Sequence, residues 1–111
     1  MQKIRLCSKA SLEPGQMLAI DHPGQPPLAV FNTGDNVYVT SNVCTHNVAT
    51  LTDGFFSDET IECPIHGGCF NVRTGEATQF PCQRPLHMYP VSIVDDDIYI
   101  DVEQTVRSQS D

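Results

Sequence analysis

The chain has no tryptophan, and only six Lys and Arg stand against fourteen Asp and Glu in its 111 residues, a formal charge of −8. Phosphate binding draws its affinity from clustered cations, so this shortage of positive charge argues against a nucleic-acid partner. No run of about 18 apolar residues occurs, which leaves no candidate membrane span. The start, Met1-Gln2-Lys3-Ile4-Arg5, leads into an alternating segment rather than the apolar stretch of a secretory leader, so a soluble, cytoplasmic protein is expected. Sustained helical periodicity is also missing, as are internal repeats and linkers. The length suits one domain, 1–111, with a modest core.

What is present reads as all-β. Pro, Gly and Asp punctuate short apolar or alternating runs at Gln2 to Cys7, Met17 to Ile20, Leu28 to Asn32 and Val37 to Ser41, with Gly34-Asp35 closing a hairpin. Thr60 to Cys63 and Phe70 to Val72 follow, then a last hairpin of Val91 to Val94 and Ile98 to Val102 turning on Asp95-Asp96-Asp97. Three consecutive acids at a hairpin tip are expected as solvated turn formers rather than a metal site. From Gln104 onward the sequence is polar, and 104–111 is expected to be a flexible tail.

The chemistry lies in Cys44-Thr45-His46 and, after sixteen intervening residues, Cys63-Pro64-Ile65-His66. Two Cys/His pairs at this spacing can hold a two-iron, two-sulfur cluster with both thiolates on one iron and both imidazoles on the other. The neutral ligands make the second iron easier to reduce than one held by thiolates alone. The competing reading is a structural zinc site. Zinc fingers, however, usually place a Cys pair before a His pair, so that each loop gives one ligand type, whereas here each loop supplies one of each. No second set suggests itself: His22 sits in a Pro/Gly-rich turn and His87 near a strand start. A mononuclear iron held by two His and a carboxylate, as an oxygenase needs, is not available either.

The arrangement C-x-H-x16-C-P-x-H-G, continued by Phe70-Asn71-Val72, Thr74-Gly75-Glu76 and Tyr89-Pro90-Val91, resembles that of Rieske iron–sulfur proteins. In size and motif variants the chain is similar to the Rieske-type ferredoxins that feed electrons to bacterial aromatic ring-hydroxylating dioxygenases. The resemblance implies the Rieske fold, an antiparallel β-sandwich base with a small inserted cluster-binding subdomain over about 43–82. It implies one [2Fe-2S] cluster on Cys44, His46, Cys63 and His66, and a one-electron carrier without catalysis or a small-molecule substrate of its own. The implied partners are an NADH-dependent flavoprotein reductase and a terminal oxygenase. Service to another oxygenase, or as the small subunit of a nitrite reductase, is the alternative.

Other positions are read against that background. Gly67 and Gly68 either let the backbone pass close to the cluster or simply form a tight turn. Asn47 stands where many relatives have Gly, and Asn tolerates positive φ better than most residues. Pro81, Ile65, Val48 and Phe70 are expected to exclude water. Cys69 and Cys82 are expected to be small buried packing residues, a bond between them being the alternative. High-potential Rieske proteins carry hydroxyl donors where this chain has Gly68 and Phe70, so the resemblance implies a potential near the bottom of the roughly −150 to +300 mV range.

Overall fold

A computed structural model describes residues 2–44, 49–65, 67–80 and 82–102. Among these residues eleven strands form three antiparallel sheets. The first joins β1 (Gln2–Ser8), β11 (Asp97–Val102) and β10 (Val91–Val94), with β11 in the middle. The second runs β2 (Met17–Ile20), β3 (Leu28–Asn32), β4 (Val37–Ser41), β9 (Met88–Tyr89). The third is a meander of β5 (Phe55–Ser57), β6 (Thr60–Glu62), β7 (Cys69–Asn71) and β8 (Ala77–Gln79). Two short 3-10 turns, Lys9–Ser11 and Leu51–Asp53, complete the elements among the described residues.

Alternation assigns the faces. Ile98, Ile100 and Val102 of β11 point inward with Ile4 and Leu6 of β1, and meet Leu28, Val30, Val37 and Val39 of the second sheet. This is the sandwich core. Ala29 and Phe31, the alternate residues of β3, enter a second core with Leu51, Ile61, Phe70, Val72 and Leu86. Every residue of β3 is therefore buried, which explains why its sequence is a continuous apolar run rather than an alternating one. In the third sheet Phe56, Ile61, Phe70 and Ala77 are cross-strand partners and line the second core. Phe31 meets Phe56 with ring centroids 5.0 Å apart and planes tilted by 58°, linking the second sheet to the third.

The expected strands are present with small shifts at their ends. β1 extends to Ser8, β6 stops at Glu62 before the cysteine, and β7 starts at Cys69 and stops at Asn71. The final turn is tighter than expected. Asp95 and Asp96 alone form it, with φ of 52° and 68°, while Asp97 already pairs with Val94. Asp97 also accepts a hydrogen bond from the Arg5 guanidinium at 3.0 Å, so the three acids do not converge. β5, β8 and β9 were not anticipated from the sequence. The 104–111 segment lies outside the described residues.

Burial sets the expected cost of disturbing the sandwich. Ile100 is fully buried on the central strand of its sheet, whereas Ile93 is 45% exposed on the edge strand β10. Ile100→Ala should cost about 2–5 kcal/mol in urea unfolding. Ile93→Ala should cost well under that, within roughly 1 kcal/mol; equal losses would contradict the assignment of the inner face.

Candidate metal centre

Both cysteines of the motif stand at the mouth of a closed loop, and the two closures are alike. The Cys44 amide donates to the Ala49 carbonyl at 2.9 Å, and the Cys63 amide donates to the Gly68 carbonyl at 2.7 Å. Each bond reaches five residues along the chain. His46 and His66 fall between these closures in sequence but lie outside the described residues, as do Asn47, Val48 and Pro81.

The first loop is anchored by a residue that no motif or spacing singles out. Asn42 is buried, and its side chain exchanges two hydrogen bonds with Thr52, Nδ2 donating to the hydroxyl and Oδ1 accepting the amide, each at 3.0 Å. Its carbonyl accepts from the Leu51 amide at 2.9 Å and its amide donates to the Pro27 carbonyl at 2.9 Å. An apolar side chain here would leave the Thr52 amide without this acceptor, at a cost of about 1–3 kcal/mol where the group stays dry. The pairing of Val43 with Thr50 closes the same ladder one step nearer the cysteine. Gly54 then carries the chain past the base of the second loop. A Cβ there would overlap the Glu62 carbonyl and sit 3.1 Å from Pro64 Cδ, so only glycine permits this approach.

Four sulfurs gather at the end of the second core. Cys44, Cys63, Cys69 and Cys82 are all buried, and Cys44 Sγ lies 3.8 Å from Cys82 Sγ. Burial pushes the Cys63 thiol above its ordinary range, and the adjoining Cys44 side chain raises it further. The Cys82 thiol is pushed up to about 12, first by burial and then by Cys44. Burial also raises Cys69, with the Glu62 carboxylate adding to it. A metal binding here must release the protons of its thiol ligands, because the thiolate is the ligand.

None of Cys7, Cys44, Cys63, Cys69 and Cys82 is in a disulfide. The Cys69 thiol donates to the Gly67 carbonyl at 3.6 Å, while Cys82 approaches Cys44. The position of Cys82 also explains Gly68. A Cβ on Gly68 would overlap Cys82 Sγ and come within 3.0 Å of the Cys82 amide nitrogen, so this glycine clears space for a sulfur. Gly67, at φ +70°, makes the turn. A serine at 68 would meet the same obstruction, so a hydroxyl donor cannot simply be restored there. Ile65 is 43% exposed and offers only partial cover, whereas Phe70 lies wholly inside the core.

His22 and His87 are elsewhere. The His22 ring lies 3.0 Å from the Pro23 carbonyl and His87 packs edge-on against Tyr89, with centroids 4.5 Å apart. Among the described residues no group of three or more His, Cys, Asp or Glu is arranged to hold a metal ion. The described part of the expected ligand set is thus the adjoining pair Cys44 and Cys63. Two buried thiols from two loops, in a core whose other members are apolar apart from Cys82, suit a soft, sulfur-preferring metal centre.

A family model for the Rieske [2Fe-2S] domain matches residues 2–90. The chain belongs to this family. Its Rieske relatives include the 3-phenylpropionate/cinnamic acid dioxygenase ferredoxin subunit of Escherichia coli (strain K12), 36% identical over 94% of this chain and 97% of the relative. The structure of the Sphingomonas yanoikuyae B1 ferredoxin superposes with a TM-score of 0.88 at 47% identity, covering 92% of this chain and all of that one. A ferredoxin chain in the complex of reduced oxygenase and oxidized ferredoxin in carbazole 1,9a-dioxygenase matches with a TM-score of 0.84 at 35% identity, covering 91% and 97% of the two chains. The all-β architecture with antiparallel sheets is the one these Rieske ferredoxins have.

The contact between Gly68 and Cys82 predicts a compensating pair. Gly68→Ala should destabilise the protein by about 1–3 kcal/mol through overpacking, and Cys82→Ala in the same chain should recover part of that loss by removing the obstructing sulfur. Additive losses in urea unfolding would show that the two sites do not touch.

Proposed function

We propose that this chain is the ferredoxin of an aromatic ring-hydroxylating dioxygenase system, carrying single electrons from an NADH-dependent flavoprotein reductase to the terminal oxygenase. The observation that carries this reading is the meeting of the Cys44 and Cys63 thiols at the mouths of two equivalently closed loops. In the proposed ligand set those sulfurs bind one iron of a [2Fe-2S] cluster, while His46 and His66 bind the other. Such a cluster, when bound, takes up and releases one electron at a time. Support comes from relatives whose names place them in dioxygenase systems, and from one that is seen in complex with its oxygenase. We take 1–111 as a single domain, with about 43–82 as its cluster-binding part.

The protein's own contribution is to hold, shield and present. The Asn42–Thr52 pair and the two amide-to-carbonyl closures fix where the sulfurs sit. Phe31, Leu51, Ile61 and Phe70 keep water from their inner side. We take the imidazole ligands as the route by which the electron passes to a docked partner, because tunnelling requires a short distance. The acidic surface suits partners with basic docking patches. No helix among the described residues is long and apolar enough to cross a membrane, and we place the protein in the cytoplasm.

Metal analysis and electron paramagnetic resonance test the ligand set. The purified protein should be reddish-brown with two iron and two acid-labile sulfide per chain, and a colourless protein with one zinc would end this reading. His46→Ala or His66→Ala should lose the cluster, whereas His87→Ala should keep it. With no hydroxyl donor at Gly68 or Phe70, the midpoint near pH 7 should lie below zero, toward the bottom of the roughly −150 to +300 mV span.

Partner kinetics form a separate test. Reduction by the reductase should slow as added salt shortens the Debye length from about 30 Å to about 8 Å; rates indifferent to salt would count against electrostatic steering. Purified chain, reductase and oxygenase together should support NADH-dependent hydroxylation, which this chain alone should not.

A further inference from the structure

We propose that the Cys82 thiol donates its S–H to the Cys44 sulfur and thereby favours electron uptake at the metal centre, making Cys82 a positioning residue of the redox reaction. The proposal rests on the reading that Cys44 is a cluster ligand. Its geometric basis is the 3.8 Å separation of the two sulfurs in a buried site. Three features hold Cys82 there. Its amide donates to the Gln79 carbonyl at 3.1 Å, fixing the backbone. The neighbouring position is Gly68, whose missing side chain leaves the space that the Cys82 sulfur fills. The surrounding core members Phe70, Val72 and Leu86 offer no competing side-chain acceptor.

The effect on the electron follows from how hydrogen bonds respond to charge. A neutral thiol is a weak donor to another neutral sulfur, but a metal-bound thiolate is a charged acceptor and strengthens the bond. Added electron density makes that sulfur more negative, so the bond is stronger in the reduced state than in the oxidised one. Hydrogen bonds to cluster sulfurs are among the protein's means of setting the potential. Cys69 supplies an internal comparison, since its thiol donates to the Gly67 carbonyl rather than to a sulfur.

Voltammetry of the cluster-loaded full chain tests the proposal. Cys82→Ala should shift the oxidised-to-reduced ratio at a fixed electrode potential about tenfold toward the oxidised form, which for one electron is a midpoint lower by about 59 mV. Cys82→Ser, which keeps a donor, should stay within about twofold of the wild type or favour reduction further, and Cys69→Ala should leave the midpoint unchanged. A Cys82→Ala change below twofold, or Ser and Ala variants that fall together, would overturn the proposal and return Cys82 to a packing role. Should Cys82→Ala fail to assemble, the wild type still decides. Its S–H stretching band, identified by its disappearance in Cys82→Ser, should move to lower frequency on reduction, and an unmoved band overturns the hydrogen bond. Iron and sulfide content separates the two levels: a full cluster with an unmoved midpoint sinks this proposal alone, while a wild type that binds neither sinks the ligand reading with it.

Discussion

Everything at the end that bears the candidate metal centre depends on one strand having no wet face. β3 sends Leu28 and Val30 into the sandwich and Ala29 and Phe31 into the second core, where Phe31 meets Phe56 of the third sheet. Each fully buried side chain of this size contributes roughly 1.5–3 kcal/mol of transfer free energy. A one-residue slip of β3 would exchange the two sets of side chains between cores. Ala29 and Phe31 differ so much in volume from Leu28 and Val30 that neither core could accept the exchange at native packing density. The loops bearing Cys44 and Cys63 are therefore held by a core that the sandwich shares, and their separation inherits the rigidity of the larger unit.

That coupling also decides what could be read from the sequence. Strands such as Leu28–Asn32 and Val37–Ser41 announce themselves by β-branched and aromatic runs between turn residues, and the cysteine loops by ligand spacing. Phe55–Ser57, Ala77–Gln79 and Met88–Tyr89 carry too few residues to show a period, and they exist because a neighbouring strand offers partners. The hairpin tip was misread by one residue because Asp97 is a third acid in an acidic run, and only its pairing with Val94 assigns it to the strand.

At the site, the two motif cysteines could be singled out from their spacing, and the contacts that support them could not. Asn42 looks like any polar residue after a strand until its hydrogen bonds to Thr52 are seen, and Gly54 and Gly68 look like turn formers until Glu62 and Cys82 are found against them. Cys82 is the clearest case. Distance along the chain hides its approach to Cys44 across 38 positions, and the buried, apolar context in which a free cysteine usually sits argues for packing. Each of these contacts joins residues of different elements or loops, for which local periodicity carries no signal.

The remaining constraint is electrostatic. A chain with formal charge −8 is an unfavourable place to add an electron, yet most of that charge sits on solvated carboxylates and is screened beyond a Debye length of about 8 Å at physiological salt. The second core is different. Its buried members are apolar or sulfur-bearing, with no charged side chain among them, so charge placed on sulfur there is poorly solvated and feels its nearest dipoles strongly. On the proposed reading, distant acids govern encounter with partners, while the few groups that touch sulfur govern the electron. That reading makes the two properties separable: changing a surface carboxylate should alter how fast a partner arrives, and changing a donor beside Cys44 should alter how willingly the site is reduced.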